Sequence, residues 1–133
     1  MTMKQPRTAR PSLPSISEEL KAWSAALAGE VGGWPHVSTR SFFGFTAFYR
    51  IDRIFALLPR TRAMETANSL AFKMEAPAST DTARLKKDPR IGSIQRQKAR
   101  WFSFEIASDA DLHDALDWLG RAYEAASKNK QSR

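Results

Sequence analysis

Apolar residues recur at spacings of three and four along Ile16, Leu20, Trp23, Leu27 and Val31, which predicts a first amphipathic helix. Ser17 stands where it can cap that helix, Glu18 and Glu19 suit its positive end, and Gly32–Gly33 stops it. Past Pro35 the chain turns aromatic and β-branched. Val37–Phe43 reads as a strand, Gly44–Phe45 as a bend and Thr46–Ile51 as a second strand. Asp52–Arg53 reads as a turn into a third strand, Ile54–Leu58, which Pro59 ends; without glycine this turn lacks the strongest hairpin signal. A polar loop, Arg60–Asn68, leads to a fourth strand, Ser69–Met74. Ser79 or Thr80 caps a short helix running to about Lys87, and Pro89 marks its end. Arg90–Arg100 is a basic connector containing Gly92. Trp101–Ile106 is a fifth strand, with Phe102, Phe104 and Ile106 on one side. In the last helix Ser108 is the cap and Asp111 takes the capping-box position. Leu112, Ala115, Leu116, Leu119, Ala122, Tyr123 and Ala126 then form an unbroken apolar stripe.

This order predicts an α+β fold: a single domain with a roughly five-stranded antiparallel sheet and the N-terminal and C-terminal helices packed on one face. The first three strands follow too closely for parallel crossovers. The other face is expected to be partly wet. Residues 1–14, with Pro6, Pro11 and Pro14, read as a flexible basic arm, residues 15–127 as the domain, and residues 128–133 as a basic tail.

At 133 residues, 42% hydrophobic and 26% charged, the chain has the make-up of one globular domain. It has no Cys, so disulfides, thiolate catalysis and zinc–cysteine clusters are excluded. It lacks a signal-peptide pattern and any run approaching the roughly 18 apolar residues of a spanning helix, so a cytoplasmic protein without a membrane partner is expected.

The net charge of +7 is unevenly placed. Residues 37–100 carry thirteen Lys or Arg against five acids, whereas residues 101–127 carry one Arg against six acids. A basic middle segment attracts phosphates at long range.

His36 and His113 lie on different elements with no ligand-spaced partner, so no metal site is expected. No G-x-S-x-G, Walker loop or G-x-G-x-x-G occurs, and no catalytic residue or cofactor is assigned. The sharpest feature is Leu58-Pro59-Arg60-Thr61-Arg62, two guanidinium groups flanking a hydroxyl just after a strand. Lys73 on the fourth strand is expected to join Arg60 and Arg62 as anion or nucleic-acid contacts. The competing reading is a solvated loop with one Arg paired to Glu65 or Glu105. Arg84, Lys86, Lys87 and Arg90 form a second basic cluster, and Arg96, Lys98 and Arg100 a third. Tyr49 and Trp101 are the rings expected to line a pocket.

The segments Ser41-Phe42-Phe43-Gly44-Phe45, Phe48-Tyr49-Arg50, Ile54-Phe55-Ala56-Leu57-Leu58, Phe72-Lys73 and Trp101-Phe102-Ser103-Phe104-Glu105-Ile106, with Ala122-Tyr123 at the end, resemble the MmcQ/YjbR-like family of small bacterial proteins. They are also similar to the TfoX N-terminal domain and to the short "luciferase domain" of uncharacterised proteins. The resemblance spans roughly residues 17–126. It implies a YjbR/frataxin-like arrangement and, for some members, DNA binding; the acidic iron ridge of frataxins is not matched. The expected function is a non-enzymatic domain contacting nucleic acid or another polyanion through its basic surface. A small-molecule or anion-binding regulatory domain and a protein-interaction module or homodimer are the alternatives.

Overall fold

The computed structural model describes residues 15–63, 66–74, 79–93 and 100–131. In chain order the elements are α1 (Glu18–Val31), β1 (Val37–Phe42), β2 (Phe45–Arg50), β3 (Arg53–Pro59), β4 (Ser69–Lys73), α2 (Ser79–Lys87), β5 (Ile91–Ser93), β6 (Trp101–Glu105) and α3 (Asp111–Gln131). The strands form one sheet in the order β1-β2-β3-β4-β6-β5, every pair antiparallel. The class is α+β, as the pattern predicts, with six strands rather than five. The additional strand lies inside the expected connector, where Ile91, Gly92 and Ser93 pair with Phe104, Ser103 and Phe102. Three residues are too few to print an alternating pattern. At Gly92 a Cβ would sit 3.0 Å from Ser103 Oγ, so the small residue suits the close strand pairing.

Local chemistry explains the element ends. Ser17 is extended, and its Oγ accepts the Leu20 N–H at 3.1 Å while donating to Asn68 Oδ1 at 2.6 Å, which ties the start of α1 to the entry of β4. Asp111 Oδ2 accepts the N–H groups of Ala107 and Ser108 at 2.7 and 3.3 Å, the reciprocal contact a capping box makes. α3 extends to Gln131, into the stretch read as a tail, because main-chain helical bonding needs no apolar stripe.

Both hairpin turns sit one residue earlier than expected. The β1–β2 turn is Phe43–Gly44, with φ of 44° and 89°, the left-handed pair of a two-residue hairpin. The β2–β3 turn is Ile51–Asp52, and Ile51 has φ 61°, unusual for a β-branched residue. Its N–H donates to the His36 carbonyl at 2.9 Å. Between β2 and β3 the register shifts at Phe48/Tyr49, so Phe55 is the extra residue of a bulge. Both Phe55 and Ala56 consequently join the helix-side core.

That core draws on all three helices through Leu20, Leu27, Val31, Leu85, Trp118 and Leu119, against Phe48, Phe55, Leu70, Phe72 and Phe104 from the sheet. Phe72 stacks on Trp118 and on Phe102, with centroids 5.6 and 5.9 Å apart. The opposite face is drier than expected. Phe45, Ala47, Leu57 and Ala71 form a second buried cluster there, and Tyr49, Ile54 and Trp101 pack against it. The central strands alternate apolar residues to both sides, so neither face is simply solvated.

No helix among the described residues is long and apolar enough to cross a membrane.

Candidate anion-binding site

The end of the sheet where β3 runs out is held by main-chain contacts. Ser24 on α1 donates its hydroxyl to the Pro59 carbonyl at 2.7 Å. The Gly44 carbonyl then accepts N–H groups from Arg60, Thr61 and Arg62 at 2.9, 3.0 and 3.3 Å. One carbonyl thus gathers the loop against the β1–β2 turn. The turn needs glycine twice over: its φ is +89°, and a Cβ would lie 2.8 Å from Arg62 Cγ.

From this frame the cations emerge. Arg60 is exposed, and its Nη1 donates to Ser41 Oγ on β1 at 3.1 Å. Arg62 is exposed, and its Nη1 donates to Ser15 Oγ at 3.0 Å, beside the isolated bridge between Ser15 and Arg62. Lys21 on α1 joins Arg60 in lining a cleft of about 320 Å³, floored by Ala25, Ala28, Leu58 and Pro59, with Ser24 and Thr46 supplying hydroxyls. On the other side of the sheet Arg40 is exposed, its guanidinium 5.4 Å from the centre of the Tyr49 ring. At the tip of the same hairpin Phe42 and Phe43 are 41% and 81% exposed, in edge contact with each other at 5.0 Å. They are the most exposed rings among the described large apolar residues, and Arg60 and Arg62 leave the chain beside them.

Lys73 does not join this group. β3 and β4 pair Ala56 with Phe72 and Leu57 with Ala71, so Lys73 lies toward the start of β3 and Arg60 past its end. Four residues of strand separate Lys73 from Ser69, or about 13 Å. Lys73 is instead opposite Trp101 in β6.

The second basic cluster is built differently. Arg90 donates Nε and Nη2 to the two oxygens of Asp88 at 2.9 and 2.7 Å, Nη1 to Asp111 Oδ1 at 2.9 Å and Nη2 to Asp114 Oδ2 at 3.1 Å. Its guanidinium also lies 4.8 Å from the centre of the Phe104 ring. The bond to Asp88, with Asp111 and Asp114 adding to it, raises the Arg90 pKa far above the ordinary guanidinium value. Arg84 pairs with Asp117 at 3.7 Å and lies over Trp118 at 5.5 Å. Arg121 bonds Asp117 at 3.0 Å and Asp81 at 2.6 Å, which holds its pKa above the usual value, chiefly through Asp117. Lys87 lines a cleft of about 380 Å³ with Arg84, Arg90, Asp88, Asp114 and Asp117, so this hollow is of mixed sign. The acids of α3, separate in sequence from the basic segment, fold back onto it.

The remaining expectations fall as follows. Tyr49 and Trp101, expected to line a pocket, are half-buried against the second cluster on the sheet. Glu105 accepts the Thr66 hydroxyl at 2.5 Å. Glu65, Arg96 and Lys98 lie outside the described residues, and Arg100 is exposed. His36 and His113 are both exposed, and no group of three or more metal-ligating side chains occurs among the described residues. Sequence reasoning passed over Lys21, Arg40 and the serines that receive the guanidiniums. The available signal was Gly44 beside two phenylalanines, a turn that exposes its own apolar residues.

No protein-family model, curated protein or solved structure matches this chain.

Proposed function

We propose that the protein is a non-enzymatic domain that binds single-stranded nucleic acid at the end of its sheet, where the Phe43–Gly44 turn, the Pro59–Arg62 loop and α1 meet. The observation that carries this reading is the partner set of Arg60: a serine hydroxyl receives its guanidinium, and two exposed phenyl rings stand beside the loop. A neutral hydroxyl is readily exchanged for a phosphate oxygen, since the charge-assisted bond is about twice as strong. Stacking on exposed rings beside cations is a sequence-tolerant way to hold unpaired bases. The MmcQ/YjbR-like resemblance, with its YjbR/frataxin-like fold, belongs to the same proposal, as does a cytoplasmic location.

A small anionic molecule is the second reading, favoured by the cleft that Lys21 and Arg60 line. Labelled single-stranded DNA and RNA, titrated by fluorescence anisotropy, separate the two. With about three phosphate contacts, affinity should fall about 20-fold between ~50 and ~200 mM salt. Arg60→Ala with Arg62→Ala should weaken binding about tenfold at low salt and flatten the salt slope by about 1.4. Arg84→Ala should leave affinity within about twofold, because that guanidinium already faces a carboxylate. Absence of any binding at low salt would reject the nucleic-acid reading. Stabilisation by phosphorylated metabolites in a thermal-shift screen, abolished by Arg60→Ala, would then favour the cleft.

A further inference from the structure

The two edges of the sheet are unequal. β5, at one edge, is three residues long, whereas β1, at the other, runs for six and is exposed from Ser38 onward. Natural edge strands are blunted by shortness, proline, bulges or several charges. Val37-Ser38-Thr39-Arg40-Ser41-Phe42 has one charge and no proline, and the bulge of this sheet lies between β2 and β3.

The hairpin sets which main-chain groups of β1 face outward. Phe42 and Phe45 flank a two-residue turn and form a mutually hydrogen-bonded pair. By the antiparallel alternation, Phe42, Arg40 and Ser38 direct their main-chain groups to β2, and Ser41, Thr39 and Val37 direct theirs away. The Val37 N–H is taken by the Trp34 carbonyl at 3.3 Å. The N–H and C=O groups of Thr39 and Ser41 have no protein partner among the described residues.

We propose that β1 pairs antiparallel with β1 of a second copy of this chain, about a twofold axis at Thr39, to make one continuous twelve-stranded sheet. Symmetry and charge select that register. A twofold normal to the sheet must place one residue opposite itself, and near the middle of β1 that residue is either Thr39, as a hydrogen-bonded pair, or Arg40, as a non-hydrogen-bonded pair flanked by pairs of Thr39 with Ser41. An axis at Arg40 would set two like charges directly opposite each other, which is destabilising. An axis at Thr39 avoids that clash and keeps the same length of overlap. Thr39 then faces Thr39, Arg40 faces Ser38, and Ser41 faces Val37. Threonine opposite threonine is a favourable cross-strand pair. The inference is independent of the nucleic-acid reading.

A chain without cysteine makes the register directly testable. In the full chain, Thr39→Cys should form a disulfide dimer on mild oxidation, because directly opposed Cα atoms lie about 5.5 Å apart. Ser38→Cys should cross-link at least about tenfold more slowly, since its two copies are offset along the strands by two residues in total and separated by more than about 7 Å. Sedimentation equilibrium of the unmodified chain should show a dimer at about 100 µM, in the range of a weak complex. Thr39→Pro removes one outward N–H without disturbing the β2 ladder, and should give a monomer with an unchanged circular-dichroism spectrum. If Thr39→Pro fails to fold, the cysteine pair still decides. A monomeric unmodified chain at that concentration, or cross-linking of Ser38→Cys as fast as Thr39→Cys, would overturn the proposal; so would a heterologous extended peptide occupying this edge in place of the second copy.

Discussion

Two regions of this molecule are rich in arginine, and they use it oppositely. At the α2–α3 end Arg84, Arg90 and Arg121 are engaged by Asp81, Asp88, Asp111, Asp114 and Asp117. At the end of β3, Arg60 and Arg62 reach serine hydroxyls. The first arrangement consumes charge to join a helix, a turn and a short strand. The second leaves the Arg60 guanidinium at the surface, attached to a loop that main-chain bonds have already fixed. Positive charge in a sequence therefore says little about ligand binding until its counter-ions are located.

Breaking the first region should cost the most. Arg90→Ala leaves Asp88, Asp111 and Asp114 without their common partner. Asp88 and Asp111 side chains are only 15% and 16% exposed. The expected loss is about 2–3 kcal/mol by urea unfolding, less than for a fully buried ion pair because Asp114 is half exposed. Nucleic-acid affinity should be unaltered, and a parallel loss of affinity would erase the distinction between the two regions.

Gly44→Ala attacks the second region through its frame. The left-handed backbone and the contact with Arg62 Cγ should together cost about 2 kcal/mol. Here affinity should fall as well, since Arg62 cannot hold its place. The Arg60→Ala, Arg62→Ala pair should by contrast change stability by less than about 1 kcal/mol while lowering affinity. A large stability loss in that pair would make the loop arginines structural.

The smallest effect at neutral pH is acid sensitivity. The Asp88 carboxyl is held below its usual value, first by the Arg90 side chain, and the Asp111 carboxyl first by the Ala107 N–H. Because both titrate lower when folded, the unfolded chain takes up protons first as pH falls. Their contribution is complete above about pH 5 and is lost as pH drops through and below the ordinary carboxylate value of 3.8. The urea midpoint should be level from about pH 5 to 7 and decline below about pH 4. In Arg90→Ala the part due to Asp88 should largely disappear, while the part due to the main-chain cap on Asp111 should survive.

Much of the architecture was legible in the chain. The apolar stripes of α1 and α3, the caps at Ser17 and Asp111, and the strands from Val37 to Leu58 follow from local periodicity and from residues bonding within a few positions of themselves. β5 was not legible, because a three-residue strand exists only through its partner. The Ile51 turn was missed by one position, because a β-branched residue at φ 61° violates local preference and is held by its neighbours, His36 among them. Of the candidate site, Arg60 and Arg62 were visible as a motif. Lys73 was misplaced because strand register decides which end of a strand meets which loop.

The order of the longer elements and the apolar stripes of α1 and α3 were determined by the sequence alone, since each depends on repeats of three to four residues or of two. Which arginines are occupied was decided only in three dimensions. Arg90 and Asp111 are 21 residues apart and Arg60 and Ser41 are 19 apart, yet one cation meets carboxylates and the other a hydroxyl. Charge interacts through space, at distances set by folding rather than by position along the chain.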